Sequence, residues 1–289
     1  MGLCLERPGD EVVARKSETP GLRITKITGH GGRLSSDIDK NTAGVAARSL
    51  LEHLGESGRG IELEIHKKMP FGSGLGSSAA SAVAAVVAVS ELLRTGLSKR
   101  ELLHFACLGE QVASGSYHAD NVAPSLIGGI VLIRDSATLD VHRLHVPKGL
   151  YVVVVYPKVE ILTKEARAIL KPEVTLKQYV SQSANVGGFI VGLYNSDIAL
   201  IGRSLRDDII EPQRAALIPG FYDVKSAALS REGVLGCSIS GSGPSVFALC
   251  ANSLAAESAG LAMQQAFAAH QVESDIFLSP INQEGATIC

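Results

Sequence analysis

The chain has 289 residues, enough for one large domain or two ordinary ones, and a hydrophobic content of 46% supports a substantial core. Its 27 basic and 29 acidic residues are spread along the chain and leave a formal net charge of -2, so neither nucleic acid nor an anionic membrane surface finds an electrostatic footprint. The five cysteines (Cys4, Cys107, Cys237, Cys250, Cys289) are odd in number, far apart and form no C-x-x-C pair, which argues against a disulfide framework or thiolate zinc site and fits a reducing, cytoplasmic compartment.

In chain order, alternation of apolar and polar residues predicts half-buried strands over 22–27 and 61–66, with a helix over 42–54 between them from the spacing of Val45, Ala46, Leu50 and Leu54. Residues 79–93 are apolar nearly all round and predict a helix buried on most sides, too short and too Ala-rich for a membrane span. Ser98 and Glu101 have capping-box spacing and open a helix that runs to about 113, where Gly115 ends it. Strands are predicted over 128–133 and 151–156, the second a Val run suited to burial on both faces, with a polar, loop-like stretch over 135–149. A boundary near 150 divides the chain into domains 1–150 and 151–289. The second restarts the pattern with helices near 163–170 and 176–195, strands near 235–240 and 245–250, a helix over 253–269 and a strand near 275–279. Ser240-Gly241-Ser242-Gly243-Pro244 reads as a tight turn between antiparallel strands.

Pro70-Phe71-Gly72-Ser73-Gly74-Leu75-Gly76-Ser77-Ser78-Ala79-Ala80 lies between a strand and the start of a long helix. Glycines let backbone N–H groups converge on phosphate oxygens, a helix N-terminus adds partial positive charge, and Ser77 and Ser78 offer hydroxyls to phosphate or a metal. The alternative is a structural turn with a serine cap. A Walker A loop requires Gly-Lys-Ser/Thr, and no such lysine is here. The dinucleotide fingerprint is nearly matched by Gly74–Ala79, but its acidic partner, Glu91, falls inside the helix, and 67–71 intervene between the strand and the first glycine.

The string P-x-x-x-G-L-G-S-S-A-A resembles the ATP-binding motif of the GHMP kinases, the family of galactokinase, homoserine kinase, mevalonate kinase and phosphomevalonate kinase. Gly236-Cys237-Ser238-Ile239-Ser240-Gly241-Ser242-Gly243-Pro244-Ser245 resembles the family's C-terminal glycine-rich loop. The run from Glu110 to Pro124, with Tyr117-His118-Ala119-Asp120-Asn121 at its centre, is similar to the homoserine-kinase branch. The resemblance implies an α+β class, two-domain GHMP fold: an N-terminal α/β domain with a mixed sheet and a C-terminal ferredoxin-like α+β domain. It implies ATP as co-substrate at residues 70–80 and at Gly241, Ser242 and Gly243, with Asn41 and Lys67 near the nucleotide. Mg²⁺ would sit on Ser78 and Glu110.

L-homoserine would face His118, Asn121, Thr163, Arg167 and Arg214, with paired guanidinium groups suited to its α-carboxylate. Without the family, Glu110 would read as a solvated helix residue and either arginine as one half of a surface ion pair. The resemblance implies phosphorylation of the homoserine hydroxyl on the way to threonine, with no general base assigned beyond His118 as a candidate. Charge and hydropathy predict no nucleic-acid or membrane partner, and a homodimer is allowed. Another GHMP kinase, or an inactive nucleotide-binding protein, is the alternative. Family chains begin with a strand and a loop like P-A-S-x-A-N-x-G-x-G-F-D. The sequence from Met1 to Asp10 aligns with the family's residues just after that loop, so the strand and its substrate-contacting Asn and Asp are expected to be missing.

Overall fold

A computed structural model describes residues 1–161 and 163–289, the side chains of 163–165 excepted. The chain folds into two compact units, the first made of 1–71, 76–143 and 282–289 and the second of 72–75 and 144–281.

In the first unit, β1 (Gly2–Leu3), β2 (Glu11–Lys16) and β3 (Leu22–Thr28) precede α1 (Thr42–His53) and β4 (Ile61–His66). Then come α2 (Ser77–Leu93), α3 (Lys99–Ser114), α4 (Val122–Ile127), β5 (Ile130–Asp135) and β6 (Asp140–Leu144). The sheet β2-β4-β3 is mixed, as expected: β4 pairs antiparallel with β2 and parallel with β3, and α1 makes the crossover between the parallel pair. Ile61, Leu63 and Ile65 of β4 are fully buried in one core with Leu50 and Leu51 of α1, Val83 and Val86 of α2 and Leu103 of α3. Alanines at 79, 82 and 85 let α2 sit deep among its neighbours, which is why it is apolar nearly all round. The Ser98–Glu101 capping box is formed, and Gly115 closes α3 at φ 74°.

Three strands stand where the sequence predicts none, the two-residue β1 among them. The stretch over 135–149, read as a loop, contains β6, which joins β5 and β1 in a second three-stranded sheet. Its sequence Asp-Val-His-Arg-Leu buries Val141 and Leu144, too short an alternation to register as a strand. The edge strand β2 is Glu-Val-Val-Ala-Arg-Lys and exposes one face to water, so its pairing with β4 rather than its composition makes it a strand. Residues 282–289 return to this unit: the Asn282 N–H donates to the Cys4 carbonyl (2.9 Å), and the Asn282 carbonyl accepts from the Gly129 N–H (2.7 Å).

The second unit contains β7 (Tyr151–Pro157), α5 (Thr163–Ala168), α6 (Leu176–Asn195), α7 (Ile198–Ser204), α8 (Glu211–Arg214), α9 (Phe221–Leu229), β8 (Val234–Ile239), β9 (Val246–Cys250), α10 (Ser253–Ala269) and β10 (Ser274–Pro280). The strands form one antiparallel sheet in the order β10-β7-β9-β8. A strand, a helical crossover, a hairpin, a helix and a last strand in this order make the expected ferredoxin-like layer. The Val152–Val155 run lies inside the sheet and is buried on both faces, with Phe221, Met263 and Phe267 of α9 and α10 among the residues of the same core. The hairpin at 240–244 joins β8 to β9 as read from the sequence.

Candidate active site

In the first unit, the strand-to-helix passage converges on one buried carboxylate. Asp10 is fully covered; its Oδ1 accepts from the N–H groups of Lys68 (3.0 Å) and Met69 (3.1 Å), and its Oδ2 accepts from the Ser81 hydroxyl (2.8 Å) and the Lys67 ammonium. Lys67 Nζ donates further to the Ser77 carbonyl (2.7 Å) and to Ser81 Oγ (2.9 Å) and lies 5.3 Å from the centre of the Phe71 ring. The ammonium's three protons thus face three acceptors, which leaves none for a nucleotide. Burial pushes its pKa down, against the opposing pull of the Asp10 charge. Lys67, expected near the nucleotide, ties the residues entering the glycine-rich loop to the first turn of α2.

No side chain caps α2. Gly76 occupies its N-cap at φ 75°, and a Cβ there would stand 3.1 Å from Asn121 Cβ, so glycine serves both the left-handed backbone and the close packing of Asn121. The first-turn N–H groups of the helix therefore remain available to an anion. On the same turn, the Ser78 hydroxyl donates to Glu110 Oε1 at 2.9 Å. Glu110 is 4% exposed, and its Oε2 has no hydrogen-bond partner among the described residues; burial pushes its pKa up to about 7. A buried carboxylate oxygen without a partner beside a hydroxyl oxygen is a donor set that fits a hard cation. Among the described residues no group of three His, Cys, Asp or Glu side chains could hold a metal by itself, so a cation here would complete its shell from water and phosphate oxygens.

The remaining residues predicted in this unit differ in kind. His118 Nδ1 lies 2.7 Å from Asp120 Oδ1. Asn121 precedes α4 without capping it through its side chain. Asn41, expected near the nucleotide, is the N-cap of α1: its Oδ1 accepts from Ala43 (3.0 Å) and Gly44 (3.3 Å), and its Nδ2 donates to the Ser35 carbonyl (2.9 Å). With its amide oxygen spent on the helix, Asn41 shapes the backbone at 35–44.

The second unit holds the middle of the glycine-rich loop against the C-terminal one. Ser240 Oγ donates to the Gly74 carbonyl (2.9 Å) and the Ser245 N–H to the Ser73 carbonyl (3.2 Å). A Cβ on Gly74, at φ 76°, would stand 2.3 Å from the Ser240 carbonyl oxygen, a distance only glycine avoids. Arg214 donates through Nε to the Ala166 carbonyl at the end of α5 (3.1 Å) and through Nη1 to the Gly241 carbonyl (2.7 Å). Its pKa is lowered by burial first and by the neighbouring Arg167 charge second. Two guanidinium groups in mutual repulsion favour an anion beside them. Arg167 lies in the last turn of α5. The Thr163 side chain lies outside the described residues.

Two buried carboxylates escaped the sequence reading. Asp10 stands after Pro8-Gly9 in an otherwise exposed stretch, and no local pattern marks it. Glu211 takes the Lys225 ammonium on Oε1 and the Ser238 hydroxyl on Oε2 (2.6 Å), anchoring the turn that carries Arg214. Its only sequence signal is its place three residues before that arginine.

Two family models match this chain. Residues 41–129 match the GHMP kinases N terminal domain and 189–269 the GHMP kinases C terminal model, and the chain belongs to the GHMP kinases. It is 47% identical to the homoserine kinase of Chlorobium phaeovibrioides over 100% of this chain and 93% of that protein, and 40% identical to the homoserine kinase of Xylella fastidiosa over 100% and 88%. A crystal structure of homoserine kinase from Cytophaga hutchinsonii superposes with a TM-score of 0.94 at 52% identity, covering 98% of this chain and 89% of that one. Within the GHMP kinases the chain stands in the homoserine kinase family. A mevalonate kinase from L. major, 20% identical over 94% of this chain and 86% of its own, shares the fold with a TM-score of 0.70.

Proposed function

We propose that this protein transfers the γ-phosphoryl group of ATP to the side-chain hydroxyl of L-homoserine, giving O-phospho-L-homoserine. The observation that carries this reading is the 47% identity to a homoserine kinase along the whole chain. The first turn of α2 and the loop amides receive the phosphates, and the Gly241–Gly243 loop, fixed to Gly74 by Ser240, gives the glycine-rich loop a second backbone layer. Ser78 and Glu110 would hold Mg²⁺, which neutralises charge developing on the transferred group. Phosphoryl transfer needs alignment and charge compensation more than covalent help, so the chain's own task is to hold the acceptor hydroxyl still.

By the resemblance, Arg167 and Arg214 would take the α-carboxylate, and His118 and Asn121 would be acceptor contacts. Arg214 reaches the carboxylate with its second terminal nitrogen while its other donors stay on the Ala166 and Gly241 carbonyls, which couples the substrate clamp to the phosphate loop. His118 is held by Asp120 and serves to position rather than to abstract a proton. Lys67 and Asn41 act on the nucleotide indirectly, through the backbone they order. The free state of all five cysteines suits a reducing, cytoplasmic setting. An ADP-release assay with homoserine, mevalonate, galactose and shikimate tests the reading: turnover is expected with homoserine, and silence with homoserine alone refutes it.

A further inference from the structure

Within the second unit, the turn that carries Arg214 is fixed from several directions. Asp207 Oδ1 accepts from the N–H groups of Ile209 (2.9 Å) and Ile210 (2.8 Å) and its Oδ2 from that of Glu211 (3.2 Å), which sets the backbone entering α8. Gln213 donates through Nε2 to the Ile209 carbonyl (2.6 Å) and accepts through Oε1 from the Lys171 N–H (2.7 Å), joining the turn to the segment after α5. Glu211 ties the turn to the sheet. It is 6% exposed; its Oε1 takes the Lys225 ammonium of α9 and its Oε2 the Ser238 hydroxyl of β8 (2.6 Å). Three residues on, and so on the same face of α8, Arg214 Nη1 donates to the Gly241 carbonyl (2.7 Å). The two bonds form a ladder, since each joins residues 27 apart, 211 to 238 and 214 to 241.

We propose that Glu211 is a positioning residue for the acceptor: its carboxylate fixes the register between the 207–214 turn and the end of β8, and thereby holds the Arg214 guanidinium where it takes the substrate's carboxylate. The role rests on the homoserine reading and adds to it a determinant of acceptor affinity that does not touch the acceptor. A long arginine side chain left to itself samples several rotamers, and ordering it at each binding event costs affinity. Glu211 is shorter, buried and engaged at both oxygens, so it can preset the rung that Arg214 then completes. Stability alone does not call for a charge here, because a buried ion pair gains little over well-packed apolar groups. Geometry does: a carboxylate offers two acceptor oxygens and holds α9 and β8 at once. The phosphate loop does not depend on this brace. Ser240 keeps its own bonds to the Gly74 carbonyl (2.9 Å) and, through its N–H, to the Ser245 carbonyl (2.8 Å). Slack at Glu211 therefore displaces Arg214 and leaves the loop in place.

Steady-state kinetics with homoserine and MgATP, alongside melting temperatures that confirm folding, test the proposal. Ser238→Ala removes one rung of the ladder with little change in volume, and Glu211→Ala removes the whole brace. The KM for homoserine is expected to rise about 10-fold for Ser238→Ala and further for Glu211→Ala, with kcat and the KM for MgATP within about 3-fold, as suits an effect on a group of the acceptor remote from the reacting hydroxyl. Glu211→Gln can keep both contacts, its oxygen on Lys225 and its amide N–H on Ser238 Oγ, and should retain most of the affinity. The decisive arm is the Arg214→Ala background, where adding Ser238→Ala should change kcat/KM for homoserine by less than about 2-fold, because the brace has nothing left to position. Full additivity of those two substitutions overturns the proposal, as does a homoserine KM that Ser238→Ala and Glu211→Ala leave unmoved, or an equal rise in both KM values. Should Glu211→Ala fail to fold, Ser238→Ala and its double variant decide alone. An unaltered chain silent with homoserine refutes the homoserine reading and this role with it, whereas ordinary turnover with unmoved variants refutes the positioning role only.

Discussion

Replacing Asp10 by Asn is the sharpest perturbation of the loop support. Asparagine keeps the shape and can retain Oδ1 as acceptor for the Lys68 and Met69 N–H groups. In that orientation it presents an amide N–H₂ where Oδ2 met the Lys67 ammonium and the Ser81 hydroxyl. Two donors then face each other in a pocket where the Lys67 side chain is 2% exposed and the position 10 side chain fully covered. Removing one member of a buried pair leaves an uncompensated charge, a loss of about 3–5 kcal/mol. For units of this size that lowers the melting temperature by on the order of 10 °C. Because Lys67 also holds the Ser77 carbonyl, the first turn of α2 loosens as well, and the KM for MgATP is expected to rise while that for homoserine changes little.

Differential scanning calorimetry and initial-rate kinetics read the two effects. The double variant Asp10→Leu, Lys67→Met removes both charges, and it should recover a large part of the lost stability, since the cost lies in the orphaned ion rather than in the missing bond. A single variant that melts within about 2 °C of the unaltered chain would refute the reasoning, because it would mean that the ammonium finds water or loses its proton without consequence.

The Glu110 pKa of about 7 lies above its ordinary 4.5, so between these values the folded chain holds a proton that the unfolded chain has released. Its contribution to stability is fully present below about 4.5 and is lost as pH rises through about 7, on the order of 3 kcal/mol in all; Glu110→Gln should flatten that part of a metal-free urea-denaturation series across pH. Gly74→Ala forces a Cβ to within 2.3 Å of the Ser240 carbonyl and should abolish MgADP binding by titration calorimetry, whereas Ala at the open Gly187 should leave it intact. Arg214→Lys cannot bridge the Ala166 and Gly241 carbonyls while reaching a carboxylate, so the KM for homoserine should rise by roughly 10-fold or more in steady-state kinetics. Asn41→Ala should lower stability by about 1 kcal/mol in chemical denaturation without altering kcat, as suits a helix cap.

The sequence alone determined what is local. Periodicity placed α1, α2, α6 and α10, the Val run marked β7 as an inner strand, and Ser98 with Glu101 marked the start of α3, because each depends on spacing within one segment. The glycine-rich loop and Ser78 were legible for the same reason: glycines at alternate positions 72, 74 and 76 before an apolar helix are a local pattern suited to a phosphate-binding turn. Glu110, by contrast, owed its assignment to resemblance, since only the packing of α3 beside α2 shows that its Oε2 is buried without a partner. Tertiary structure decided the rest. Asp10 lies 57 residues from Lys67 and 71 from Ser81, and no pattern along the chain announces a carboxylate whose partners arrive from so far away. The partners of Lys67 and Asn41 were hidden for a related reason: residue type fixes what hydrogen bonds a side chain can make, while the fold decides where its donors and acceptors are spent.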